Sequence, residues 1–179
     1  MTLNRALLLD RDGILNQDGY IASVDQFVFL PAVFPLLRGA REAGYRLAIF
    51  TNQSGVARGY YTEEAYRAVT THMLAGLRQE GITIDLVLEC FEFPEGRPPY
   101  ARQSFWYKPN PGMVMEAVRR LNLDPARSMA LGDKIRDLHA AAQGGIKTGL
   151  WLTDETTAPE GVTIVKTHAE ALRIVTAGV

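Results

Sequence analysis

The stretch Ala6-Leu7-Leu8-Leu9-Asp10-Arg11-Asp12-Gly13 is an apolar run that ends in two carboxylates and a glycine. An apolar run this short reads as a buried strand, and Asp10 and Asp12 lie at its C-terminal edge, where open α/β sheets place their active sites. Side chains alternate along a strand, so Asp10 and Asp12 share a face if the strand runs on. The turn at Gly13 aims the two carboxylates at one bound atom from different angles. Taken alone, the stretch reads equally well as a polar turn, since Asp and Gly are common turn residues.

Three sites further along bear on that choice. Thr51-Asn52 follows a second apolar run, Arg46-Leu47-Ala48-Ile49-Phe50, and leads into Gln53-Ser54-Gly55. A hydroxyl, an amide and the N–H groups of a tight turn form a donor set suited to phosphate oxygens, although an ordinary strand-to-loop turn has the same composition. Lys108-Pro109 precedes Asn110-Pro111-Gly112 and a helical stretch from Met113. A cation near a helix start opposes the helix dipole, which suggests that an anion wants its charge; the plain reading is an exposed loop lysine. Gly132-Asp133-Lys134-Ile135-Arg136-Asp137 follows the run Met129-Ala130-Leu131. The spacing stacks Asp133 and Asp137 on one face of a helix start, and Asp133 alone reads as an N-cap.

In chain order these four sites resemble the four motifs of the haloacid dehalogenase superfamily of phosphotransferases. Leu9 to Gly13, Asn16, Tyr20, Thr51 to Gly55, Ala57-Arg58-Gly59 and Lys108-Pro109 are similar to the branch that holds the D-glycero-D-manno-heptose 1,7-bisphosphate phosphatases and the histidinol-phosphate phosphatases. The resemblance spans residues 5–152. It implies a doubly wound, Rossmann-like α/β fold with a central parallel sheet and helices on both faces. It also implies that Asp10 is the nucleophile forming an aspartyl phosphate, and that Asp12 protonates the leaving alkoxide and then takes a proton from the hydrolytic water. Carboxylates gathered with phosphate favour Mg²⁺, which Asp10 and Asp133 would bind by their side chains and Asp12 by its carbonyl. Asp137 would orient Lys134 or a metal-bound water from behind. Thr51 and Asn52 would hold the phosphoryl oxygens and Lys108 would neutralise them, with Gln53, Arg58 and Tyr107 facing the substrate. The substrate implied is a sugar bisphosphate, with histidinol phosphate and other small phosphorylated metabolites as alternatives.

The departures from this branch are also informative. Many members bind zinc through a Cys-x-His pair and a later Cys-x-Cys pair; here the positions read Cys90-Phe91-Glu92 and Ser104-Phe105-Trp106, so no zinc is expected. The segment 91–107 instead carries Phe91, Phe93, Tyr100, Phe105, Trp106, Tyr107 and three prolines, and is expected to form a substrate-selecting lid ordered by aromatic packing. The Arg expected before the motif lysine is Tyr107, which removes a bidentate anion contact that Arg58, Arg97 or Arg102 would have to replace.

With 179 residues and 47% hydrophobic content, the chain suits one domain over residues 1–179 without a large cap domain. A formal charge of -1 gives no footprint for nucleic acid or membrane, and the single Cys fits a reducing cytoplasm. Met1 to Arg5 does not read as a signal peptide and no stretch is long enough to span a bilayer. A monomer or weak homo-oligomer is expected. Strands are expected at 6–9, 46–50, 86–90, 129–131, 149–152 and 162–165, and helices at 31–43, 62–79, 112–121, 134–143 and 168–177. His72 and His168 read as packing or surface residues and Cys90 as a small buried hydrophobe. A phosphoacceptor receiver module is the other class to weigh, because it also gathers carboxylates and a Lys around Mg²⁺. Receivers place the acidic pair and the phosphoacceptor on different strands, whereas Asp10 and Asp12 share one, and Asp12 supplies the acid that permits turnover.

Overall fold

Strand β1 (Ala6–Leu9) has no solvent-exposed side chain. Leu7 and Leu9 pack into one hydrophobic cluster, Ala6 and Leu8 into another, so β1 is covered on both faces and its apolar run needs no alternation. The computed structural model describes residues 2–178. Around β1 lie β2 (Arg46–Asn52), β3 (Leu86–Cys90), β4 (Met129–Gly132), β5 (Thr148–Leu152) and β6 (Val162–Val165), all parallel, in the order β3-β2-β1-β4-β5-β6. The chain winds outward from β1 to β3 and then restarts beside β1 with β4. The strand order therefore reverses between β1 and β4, and a crevice opens at their C-terminal ends.

Helices α1 (Val33–Glu42), α3 (Glu63–Gln79) and α6 (His168–Ala177) cover the face of Leu7 and Leu9 with Leu36, Leu37, Val69, Met73, Leu77 and Val175. Helices α4 (Gly112–Leu121) and α5 (Ile135–Gln143) cover the opposite face with Met113, Val114, Ala117 and Leu138. Each fully buried aliphatic side chain contributes roughly 1.5–3 kcal/mol, so these two layers supply most of the driving force. Thr62 caps α3 as its sequence predicts, its hydroxyl accepting from the Ala65 N–H at 3.2 Å. Among the described residues no helix is long and apolar enough to cross a membrane.

The element boundaries differ from the sequence reading in a few places. Helix α1 begins two residues later than expected, Thr51 and Asn52 belong to β2 rather than to the loop after it, and the short helix α2 (Gly55–Arg58) was not anticipated. A four-residue helix carries too little periodicity to read.

The segment 91–107 is built on aromatic contacts. Phe91 packs edge-on against Tyr66 of α3 at 5.1 Å, and Phe93 lies 5.6 Å from Tyr107. At its base the Cys90 thiol lies 3.2 Å from a Glu92 carboxylate oxygen and 3.7 Å from the Ser104 hydroxyl, and Arg102 pairs with Glu92 at 2.6 Å. Burial pushes the Cys90 thiol up to about 12.

Candidate active site

Asp10 follows β1 directly, and its N–H still donates to the Leu131 carbonyl at 3.0 Å, so the β1–β4 ladder holds its backbone. Its Oδ1 accepts the Arg11 N–H at 2.7 Å and lies 3.0 Å from the Lys108 ammonium. Asp133 leaves the end of β4, where Trp151 of β5 grips its carbonyl with an indole N–H at 3.0 Å. Asp137 lies in the first turn of α5, and its Oδ2 accepts the Lys134 N–H at 3.0 Å. Carboxylate oxygens of Asp10, Asp133 and Asp137 all lie within 4.8 Å of one another.

The helix start differs from both sequence readings of it. Asp133 neither stacks on α5 nor caps it; Lys134 holds the N-cap position and Asp137 satisfies its N–H. The two carboxylates converge because the chain turns between them. Two glycines leave them room. A Cβ on Gly13 would lie 2.4 Å from Asp133 Oδ2, and one on Gly132 would lie 2.5 Å from Asp137 Oδ2. Gly13 also holds φ +83°, where a side chain is strained. Gly13→Ala is expected to cost at least about 1–2 kcal/mol from the backbone alone, and more from displacing Asp133. A chemical-denaturation midpoint equal to that of the parent would contradict this packing.

Lys108 departs from the plain reading of an exposed loop lysine. It is fully buried rather than exposed, and its ammonium lies 3.0 Å from Asp10, 2.8 Å from Asp137 and 2.9 Å from the Phe50 carbonyl. The anions that want its charge are the protein's own carboxylates. Burial works against the ammonium, but Asp10 and Asp137 outweigh it and hold its pKa above the ordinary lysine value. Burial in turn raises Asp137, against the pull of Lys108. Asn52 ties this lysine's backbone to β2, with Oδ1 accepting the Lys108 N–H at 2.9 Å and Nδ2 donating to its carbonyl at 3.1 Å.

Asp12, Asn52, Gln53, Arg58, Tyr107, Asp133 and Lys134 line a cleft of about 330 Å³ together with Asp10. Thr51 and Lys108 lie behind its wall rather than in it. Lys134 bridges Asp133 at 2.8 Å and Asp18 at 2.9 Å. The Arg58 guanidinium lies 4.1 Å from the centre of the Phe93 ring, and its Nε is buried without a hydrogen-bond partner. Gln53 is 1% exposed, and its amide bonds Asp12, Thr51, Arg11 and Tyr61. Gln53 thus lines the cleft with its amide already engaged by these four partners. Burial raises Asp12 above the ordinary carboxylate range, although the neighbouring Arg11 pulls it down.

The acidic cluster fits a hard divalent cation. Asp133 Oδ1 is buried with no partner, an arrangement that leaves a charged oxygen unsatisfied unless a cation meets it.

The chain matches the HAD-hydrolase-like family model over residues 105–174. It is 41% identical over 146 residues to the D-glycero-beta-D-manno-heptose-1,7-bisphosphate 7-phosphatase of Haemophilus ducreyi, covering 80% of each chain. The chain belongs to the HAD-like hydrolase family. A second relative, the D-glycero-alpha-D-manno-heptose-1,7-bisphosphate 7-phosphatase of Burkholderia mallei, is 40% identical over 153 residues, covering 84% of this chain and 81% of that one. The crystal structure of the D,D-heptose 1,7-bisphosphate phosphatase of B. bronchiseptica, complexed with magnesium and phosphate, superposes with a TM-score of 0.83 at 30% identity, over 94% of this chain and 96% of that one. The protein is a HAD-family phosphatase, a phosphoric monoester hydrolase.

Several residues of this phosphatase's site were invisible in its sequence. Arg11 lies inside the first motif but has no role assigned by it, Tyr61 lies outside every motif, and Trp151 reads as an ordinary strand residue. His168, which reads as a packing or surface residue, is buried, and its Nε2 lies 2.8 Å from the Ile14 carbonyl and ties α6 to the loop after Asp12.

Proposed function

We propose that this phosphatase removes one phosphate from a sugar bisphosphate, in the manner of a D-glycero-D-manno-heptose 1,7-bisphosphate 7-phosphatase. The observation that carries this reading is a cleft lined by Asp10, Asp12 and Arg58, whose guanidinium stacks on Phe93 with its Nε buried and without a hydrogen-bond partner. One phosphate reaches Asp10 while the guanidinium receives the other, in place of the Arg expected at position 107.

Asp10 attacks phosphorus; the bond to the sugar oxygen breaks and its electron pair leaves with the alkoxide, which takes a proton from Asp12. Water then attacks the aspartyl phosphate, gives a proton to Asp12 and releases inorganic phosphate, returning Asp10 to its carboxylate. Lys108 and the Arg11 N–H hold Oδ1 of Asp10 in place. The side chains of Asp10 and Asp133, with the Asp12 carbonyl, would hold Mg²⁺, the cofactor, which when bound would supply positive charge for the carboxylates and the phosphoryl oxygens. Asp137 holds Lys108 and the Lys134 backbone in place, and Asn52 offers the cleft a polar wall. Loop 91–107 shapes substrate choice within a single domain through Tyr107, which lines the cleft, and Phe93, which carries Arg58.

The test is phosphate release with Mg²⁺ from heptose 1,7-bisphosphate, histidinol phosphate and a panel of sugar monophosphates. The bisphosphate should be preferred, and Arg58→Ala should remove that preference. Equal rates on monophosphates and bisphosphate would overturn the substrate assignment.

The cation should also be visible in stability. Burial raises Asp12 and Asp133 in the ion-free protein. A carboxyl that holds its proton more tightly when folded contributes stability at low pH, and that contribution is lost as pH rises through the folded pKa. A cation binds only the ionised cluster, so its stabilisation grows as pH rises. At a hundredfold excess over Kd, Mg²⁺ should contribute about 2.7 kcal/mol, or roughly 5–10 °C in Tm, near neutral pH and much less near pH ~5. A shift that is the same at both pH values in differential scanning calorimetry would contradict binding at these carboxylates.

A further inference from the structure

Arg11 separates the two aspartates along the chain and has no part in the chemistry above. Its side chain is only 1% exposed and turns back onto Asp12. Nε lies 3.0 Å from Asp12 Oδ1, and one terminal nitrogen lies 2.8 Å from Oδ1 and 2.9 Å from Oδ2. Asn16 adds a contact to Oδ1 at 2.9 Å, and Gln53 donates to Oδ2 at 2.9 Å. The Tyr66 ring backs the guanidinium, its centre 5.6 Å away.

The amide of Gln53 links this cluster to a residue that never touches Asp12. Its Oε1 receives the Tyr61 hydroxyl at 2.7 Å and Arg11 at 3.2 Å, while its Nε2 donates to Asp12 and to Thr51 Oγ1, each at 2.9 Å. The opposite amide orientation would set an NH₂ group against the guanidinium, which has only donors, and a carbonyl against a carboxylate. Tyr61 and Arg11 thereby decide which end of Gln53 faces Asp12. Without these contacts Asp12, on the turn that ends at Gly13, would be free to adopt several rotamers.

We propose that Arg11, Gln53 and Tyr61 form a cradle that positions the Asp12 carboxyl for proton transfer, with Tyr61, itself on the cleft wall, acting as a latch through the Gln53 amide. They are positioning residues, and the proposal rests on the acid–base role proposed for Asp12. Displacement of a reacting group by about 1 Å can cost on the order of 10²-fold in rate, so loss of one latch contact should be measurable.

The experiment compares kcat/KM for a sugar phosphate, whose alkoxide needs a proton to leave, with that for 4-nitrophenyl phosphate, whose phenolate does not. Tyr61→Phe removes one hydroxyl and should lower kcat/KM about tenfold for the sugar phosphate but less than about twofold for the aryl ester. Arg11→Lys keeps the charge but loses the fork, and should show the same selectivity with a larger loss. In an Asp12→Asn background, adding Tyr61→Phe should cost less than about twofold further, because the group it positions is gone. Equal losses on both substrates, no loss at all, or a full Tyr61→Phe penalty in the Asp12→Asn background would overturn the cradle. If Asp12→Asn itself lowers both substrates equally, the acid–base assignment falls and takes the proposal with it; a selective Asp12→Asn with a non-selective Tyr61→Phe overturns the cradle alone.

Discussion

Asp10→Asn is expected to abolish phosphate release, with a fall in turnover of about 10⁵-fold or more, while the protein remains folded. Loss of a covalent nucleophile removes the two-step path altogether, and what persists in comparable enzymes comes from binding and electrostatics alone. The substitution keeps the shape of the side chain, so the Arg11 N–H retains an oxygen acceptor and the β1–β4 ladder is untouched. Lys108 loses one anionic partner but keeps Asp137 at 2.8 Å, so no charge is left isolated. Two measurements on one preparation check this: phosphate release with saturating Mg²⁺, and thermal unfolding without it. Mg²⁺-dependent hydrolysis surviving in the variant would overturn the assignment of Asp10. A collapse of Tm alongside the lost activity would leave the loss without a chemical meaning, and the retained Asp137 contact argues against that outcome.

Lys108→Met should be the most destabilising single change in the site. Its ammonium is fully buried between Asp10 and Asp137, themselves 7% and 0% exposed at the side chain. Removing it leaves two buried carboxylates facing each other without their cation. Breaking a buried pair in this way costs about 3–5 kcal/mol. At about 2–4 °C per kcal/mol for a chain of this size, Tm should fall by roughly 6–20 °C. The sign of a second effect separates this account from a simple packing defect. Mg²⁺ would bring positive charge to Asp10 and to the acidic cluster that includes Asp137, so it should raise Tm more in the variant than in the parent. A cavity left by a hydrocarbon stem would show no such excess. If ion-free Lys108→Met melts with the parent, the charge sandwich has no energetic role.

Much of the architecture was legible because it depends on neighbours along the chain. The run from Ala6 to Leu9, the N-cap at Thr62 and the stripe of Tyr66, Val69, Met73 and Leu77 are local patterns, and each appears where periodicity and turn chemistry place it. The order of motifs carried the family and the identity of the carboxylates for the same reason. Helix α2 leaves no legible pattern because four residues hold too little, and the spacing of four between Asp133 and Asp137 suggests a shared helical face although the helix starts after Asp133.

The sequence by itself determined a parallel α/β sheet, the delivery of Asp10 and Asp12 to a strand end, and the class of chemistry that a pair of aspartates, a lysine and a second acidic motif can perform. The tertiary structure alone decided that Lys108 answers Asp10 and Asp137, that Gln53 serves Asp12, and that Arg58 stands in the cleft on Phe93. Lys108 lies 58 residues from the Phe50 carbonyl it bonds, and Gln53 lies 41 residues from Asp12. At such separations, charge and hydrogen-bond pairing follow the distance across the folded sheet, which no local pattern encodes.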